Sequence, residues 1–268
     1  MVQLQPASSS VVEGVLLTSL DARACVEGLV VEACRHRAVR HPYLKALATG
    51  DLPDTRWALS DFARHYYGYS AHFPRYLTAT ISRLEAPAHR RALLENLVEE
   101  SGQYHEEDLR LLERRGVRRE WIVGVPHPEL FRRFREALGL QGEFGLDGIE
   151  VSCWRELFYE TMAHGSPAQA VGALGLGTET IVRLVYSHFL PAIERAQLPP
   201  EDTVFFPLHC DVDDAHQETL KSIAVDLAAT ESGRRDLERG MRKALFLRAS
   251  FWDYLHERAL GIGAEARA

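Results

Sequence analysis

From Asp21 onward, apolar residues recur at three- and four-residue spacing, and a two-residue alternation never lasts beyond a few positions. That property argues against sheet architectures, because a half-buried strand needs period two. Ala22, Cys25, Leu29 and Ala33 mark a first helix that should stop before Pro42. A short helix ending at Gly50 follows. Asp54 or Thr55 can cap the next one, which runs through Trp57, Leu59, Phe62, Tyr66 and Tyr69 towards Leu84, with Pro74 inside it predicting a kink or a break. Pro87 opens a helix containing Leu93, Leu94, Leu97 and Val98. His105 to Arg115 has helical spacing, and His127-Pro128 starts another helix that continues to Leu138. A glycine-rich loop is expected over 139–147, then helices near 148–163, 167–173 and 176–195. Pro207 can begin a long helix. A last helix spans roughly 234–259, with Leu245, Phe246, Ala249, Trp252 and Leu255 on one side. Residues 1–18 read as a loose arm and 263–268 as a tail. The expected architecture is one all-α domain over 19–262, a bundle of about seven to nine helices.

Composition narrows the function. The 268 residues carry a net charge of −7 with no basic block, which disfavours nucleic acid as a partner. There is no apolar run long enough for a membrane span, and Met1 to Ser19 lacks the pattern of a signal peptide. Cys25, Cys34, Cys153 and Cys210 show no C-x2-C spacing. They read as buried thiols in a reducing, cytoplasmic setting.

The chemistry concentrates in His209-Cys210-Asp211-Val212-Asp213-Asp214-Ala215-His216. On a helix, His209, Asp213 and His216 fall at about 0°, 40° and −20°. Two imidazoles and a carboxylate on one face suit iron, manganese or zinc. Apolar Phe205, Phe206 and Leu208 before them and Ile223, Ala224 and Leu227 after them place that face near a core. Upstream, Glu99 and Glu100 end an apolar helix, and periodicity does not settle which acid points inward. Glu179 is the only acid between Glu160 and Glu194, in the small-residue stretch Gly175-Leu176-Gly177-Thr178-Glu179. It is either a helix-dipole partner or a buried ligand. The glycines are no nucleotide loop, since no strand precedes them and no Lys follows. His105 and His127 compete for one role.

Taken in order, Glu99-Glu100-Ser101-Gly102, then His-Pro-Glu-Leu-Phe from His127, then Glu179 in a Gly/Ala-rich helix, then His-x3-Asp-x2-His, the chain resembles the haem-oxygenase-like diiron oxidases and oxygenases over roughly Tyr66 to Leu227. The resemblance implies a haem-oxygenase-like bundle. It also implies Glu99, His127, Glu179, His209, Asp213 and His216 as ligands of two Fe(II) ions, with O2 as co-substrate. The departure is the insertion of Gln103 to Pro126 between the first two ligands, for which His105 and Glu100 are the substitutes. Relatives of this kind oxidise small molecules by N-oxygenation, desaturation or oxidative C–C cleavage, so an amino acid or amine is the expected substrate. An external reductase would return the metals to the ferrous state. Tyr66, Tyr67, Tyr69, His72, Trp154, Arg155, Phe158 and Tyr186 lie on helices expected to flank the site, and Arg155 could clamp a substrate carboxylate or form an ordinary interhelical salt bridge. An exposed apolar stripe on the last helix, including Phe251 and Leu255, would permit a homodimer. The competing readings are a metal-free thiaminase-II-like hydrolase or cofactorless oxidase on the same architecture, and a non-enzymatic helical binding module.

Overall fold

The computed structural model describes the backbone of residues 9–142, 148–211 and 214–265; side chains are described except in 1–20, 143–147, 211–216 and 262–268. Proline and capping chemistry divide the chain. α1 (Ser9–Arg35) begins inside the stretch expected as an arm. His41 caps α2 (Pro42–Thr49), its Nδ1 accepting from Tyr43 N–H, and Gly50 closes the helix in the left-handed conformation. Asp54 caps α3 (Thr55–Ser70) by accepting from Trp57 N–H at 2.9 Å. The break expected at Pro74 is present, because Pro74 sits in the first turn of a separate α4 (Phe73–Arg83). Next come α5 (Pro87–Glu100), α6 (Glu106–Arg114), α7 (Arg119–Ile122), α8 (His127–Ala137) and α9 (Ile149–His164).

A Ser166–Gln169 capping box starts α10 (Pro167–Val171), which runs without a break into a π-helix over Gly172–Glu179 and then α11 (Thr180–Tyr186). The interruption expected between 173 and 176 is therefore a widened helical turn, with Thr178 Oγ1 donating five residues back to the Ala173 carbonyl at 3.0 Å. α12 (Leu190–Arg195), α13 (Pro200–Thr203), α14 (Phe205–Asp211), α15 (Asp214–Leu227) and α16 (Glu231–Glu265) complete the order. The described residues contain no strand, and the class is all-α as expected. There are more helical segments than expected because proline and wide turns cut the longer helices.

α16 and the π-helix form the central crossing. A Cβ on Gly172 would lie 2.2 Å from the Leu237 carbonyl oxygen, and one on Gly240 would lie 2.0 Å from that of Gln169. These glycines are there so that two backbones can touch. Around the crossing, Phe62, Tyr66, Phe131, Phe189, Phe206 and Trp252 interlock with ring centroids 4.3–6.4 Å apart.

Several expected surfaces differ. Leu245, Ala249, Trp252 and Leu255 are buried as one stripe, but Phe246 is 67% exposed. Phe251 and Leu255 are core residues, so they form no outer stripe of the kind suggested for a dimer. All four cysteines are free. Cys210 is buried and Cys25 and Cys34 are half-buried, but Cys153 is exposed, contrary to expectation. No helix among the described residues is long and apolar enough to cross a membrane.

Candidate metal centre

The inward stripe of α5 turns polar after Leu93. Leu93, Asn96 and Glu100 are buried on one side of the helix, with Glu99 buried beside them, while Leu94 and Val98 are each 48% exposed. Apolar periodicity is overridden here, as expected where a side chain is held inside for its chemistry. The insertion between Glu100 and His127 closes on itself. Gly102 has φ +85° and lies so near Val125 that a Cβ would approach its backbone N at 2.5 Å, and its carbonyl accepts from Gly124 N–H at 2.8 Å. Within the excursion Arg119 forks to Glu106 and Glu113. The two ends of the insertion therefore meet, and Glu100 faces His127.

His127 opens α8 and is buried. Its Nδ1 lies 3.1 Å from Glu100 Oε1 and makes no hydrogen bond among the described residues. Its Nε2 is engaged by the Tyr104 hydroxyl at 2.9 Å. Burial pushes the Tyr104 phenol well up, and the charges of Glu100 and Glu99 add to this, so the hydroxyl stays protonated. His209 stands opposite on α14, its ring centroid 4.8 Å from that of His127. Its Nδ1 contacts the Phe205 carbonyl at 2.6 Å. A carbonyl only accepts, so Nδ1 is the donor here, and in the neutral ring Nε2 is left as the ligand atom. One ligand atom each of Glu100, His127 and His209 lies within 4.8 Å of the others.

These donors fit a cation. A buried carboxylate oxygen and an imidazole nitrogen lie 3.1 Å apart, and each histidine has its other nitrogen held by a neighbour, the arrangement that orients metal ligands. Mixed nitrogen and oxygen donors suit iron.

The triad opens into a narrow cavity of ≈ 30 Å³, also lined by Tyr66, Tyr69, Ser70, Phe73, Pro128, Phe131, Thr178, Glu179, Val182, Tyr186, Phe205 and Arg248. Glu179, at the C-terminal end of the π-helix, is buried at this wall. Its carbonyl oxygen accepts from Gln217 Nε2 at 3.2 Å, which docks the start of α15 here.

Of the acids at the end of α5, Glu100 joins the triad; Glu99 is neither in it nor among the cavity-lining residues. The reason is angular: successive helical residues point about 100° apart. Of the two contested histidines, His105 is exposed just before α6, whereas His127 is buried beside Glu100. The side chains of Asp213 and His216 lie outside the described residues.

Among the side chains expected to meet substrate, Tyr186, Tyr66 and Tyr69 line the cavity. Trp154 packs one layer behind, stacked on Tyr69 at 3.9 Å, and Phe158 is a core ring set edge-on to Tyr69 and Tyr76. Tyr67 stacks on Phe131 and under the Arg135 guanidinium. Arg155 bonds the Gly68 carbonyl and Glu156, and with His72 it lines a separate pocket. Sequence reasoning missed Arg248 and Tyr104. The signal for Arg248 was a lone cation on the apolar stripe of α16.

A sequence profile of the iron-containing redox enzymes matches residues 60–249. The chain belongs to that family. Two relatives of this iron-containing redox enzyme have named activities. It is 24% identical over 241 residues to the 4-chloro-allylglycine synthase of Streptantibioticus cattleyicolor, covering 89% of this chain and 84% of that protein. It is 23% identical over 206 residues to the 4-aminobenzoate synthase of Chlamydia muridarum, covering 73% and 75%. A Shewanella denitrificans domain of unknown function with a heme oxygenase-like fold superposes with TM-score 0.60 at 14% identity, covering 95% of this chain and 94% of that one. The protein is thus an enzyme of the iron-containing redox family with a haem-oxygenase-like fold.

Proposed function

We propose that the protein is a non-haem diiron oxidase that uses O2 to oxidise a small amino acid or amine. The observation that carries this reading is the buried cluster of Glu100, His127 and His209, their ligand atoms within 4.8 Å of one another, with Glu179 at the same cavity wall. Glu100, His127 and His209 would hold one Fe(II). Glu179 with Asp213 and His216 would complete the set for the second, supported by the docking of Gln217, the neighbour of His216, on the Glu179 carbonyl. Bound iron would supply electrons to O2, with an external reductase restoring the ferrous state. The chain's own residues do the rest. Tyr104 and the Phe205 carbonyl fix the two imidazoles, and the aromatic wall of Tyr66, Phe131, Tyr186 and Phe205 excludes water from the reacting groups. The named relatives make an amino acid and an aromatic amino acid, which favours a substrate of that size.

Anaerobic ferrous titration followed by O2 uptake tests the reading. Two irons per chain are expected. Glu100→Ala and His209→Ala should each lower the stoichiometry, and Glu99→Ala should leave it near two. Iron-free protein that still turns over substrate would replace this reading with the metal-free one, and a Glu99→Ala loss larger than that of Glu100→Ala would reverse the ligand choice.

A further inference from the structure

Arg248 lies on the buried stripe of α16 between Leu245 and Trp252 and is 2% exposed. Its guanidinium reaches the cavity that holds the Glu100–His127–His209 triad. Its hydrogen bonds are both long: Nη1 to Tyr66 Oη and Nη2 to Tyr69 Oη, each 3.4 Å. The faces of Tyr69 and Trp154 lie 5.6 and 5.5 Å from it. The Tyr66 oxygen is already shared with Tyr186 at 2.8 Å. Burial drives the Tyr69 and Tyr186 phenols well above their ordinary range, so both stay neutral. Among the described residues no carboxylate pairs with Arg248. Two other arginines behave otherwise: Arg258, partly buried, forks onto buried Asp61 at 2.7 and 2.8 Å, and the exposed Arg37 pairs with Asp253. A guanidinium does not deprotonate, and a buried charge needs a counter-ion. The two acids of the cavity, Glu100 and Glu179, belong to the proposed iron set. Once iron binds them, the cavity is left with an excess of positive charge.

We propose that Arg248 is the carboxylate-binding residue of this cavity, so that its substrates are small organic acids anchored by their carboxylate on α16 with the reacting end towards Glu100, His127 and His209. This rests on the cavity being the substrate site, and it names the class of substrate. The planar fork matches a carboxylate, and the Tyr66 and Tyr69 hydroxyls supply further donors beside it. The apolar walls suit the carbon skeleton and disfavour inorganic anions.

The test is calorimetric titration of the full chain, as purified and again after anaerobic ferrous loading, with hexanoate and benzoate against hexan-1-ol and benzyl alcohol. Each acid should bind roughly ten- to hundredfold tighter than its neutral isostere, the range for a charge-assisted pair. Arg248→Met should remove that preference while leaving alcohol binding within about twofold, and Arg248→Lys should keep part of it. Equal affinity for acid and alcohol, no binding of either acid, or an unchanged preference in folded Arg248→Met would overturn the proposal. If Arg248→Met does not fold, the wild-type comparison decides alone. The acid preference is expected to be largest in the ferrous-loaded arm, and iron stoichiometry is read there independently of acid binding, so failure of the diiron reading and failure of this one are separable.

Discussion

Replacing Gly by Ala at three helical positions is one chemical change with three different expected outcomes. At Gly28, exposed on α1, an added Cβ meets nothing within 4 Å. There the methyl removes backbone freedom from the unfolded chain, and stability should rise by about 0.5–1 kcal/mol. At Gly177 the Cβ would sit 2.7 Å from Ala244 Cβ and 2.9 Å from the Met241 carbonyl oxygen. Restoring a 3.4 Å contact takes a separation of about 0.7 Å between the π-helix and α16. Overpacking on that scale costs about 1–3 kcal/mol. At Gly240 the Cβ would meet the Gln169 carbonyl oxygen at 2.0 Å and other backbone atoms by 3.0 Å, with no side chain able to yield, so the loss should exceed that at Gly177. For a chain of this size each kcal/mol moves Tm by roughly 2–4 °C. Calorimetric melts should therefore rank Gly28→Ala above wild type, then Gly177→Ala, then Gly240→Ala. Gly177 is followed directly by Thr178 and Glu179, so its variant should also weaken ferrous binding in the folded state. Gly28→Ala and Gly177→Ala shifting Tm in the same direction, or Gly240→Ala melting with wild type, would refute the claim that these glycines exist for backbone contact.

Three further outcomes are expected. Asp61 is buried and forked by Arg258; burial opposes its ionisation, but the hydrogen bonds from Arg258 and His65 outweigh this and hold its carboxyl below the usual range. Asp61→Ala should cost about 3 kcal/mol. In wild type that stabilisation is present above the unfolded-state pKa near 4 and is lost as pH falls through the lower folded value, so the Tm gap between the two proteins should narrow only in acid. Tyr104→Phe removes the hydroxyl that holds His127 Nε2, and anaerobic ferrous titration should show affinity falling roughly ten- to hundredfold with the fold intact; unchanged affinity would deny Tyr104 that role. Gly102→Ala places a Cβ at positive φ against the Val125 backbone, so it should open the insertion and reduce both Tm and iron content; full iron loading would show that the insertion does not bring Glu100 to His127.

The fold class was legible because helical periodicity is local. Proline breaks at Pro42, Pro74 and Pro87 and the Asp54 cap act within a few residues and appear where the pattern puts them. Misreadings arose where a long-range partner overrides the local pattern. Leu94 and Val98 look like core and are exposed, because α5 turns Asn96 and Glu100 inward instead. Phe246 was misassigned in the same way: a residue one step from Leu245 points about 100° away and leaves the stripe. Arg155 reads from sequence either as a carboxylate clamp or as an ordinary salt-bridge partner, and its helix turns it to the Gly68 carbonyl and Glu156.

By itself the sequence determined an all-helical chain, its break points, and the residue types able to grip a metal, since these depend on neighbours three and four positions apart. Only the tertiary structure decided that Glu100 rather than Glu99 meets His127, that His105 stays outside, and that Arg248 enters the cavity. Those outcomes depend on how the Gln103 to Pro126 excursion closes and on how two glycine-faced helices rotate against each other. Such contacts join residues tens of positions apart, and no local periodicity encodes them.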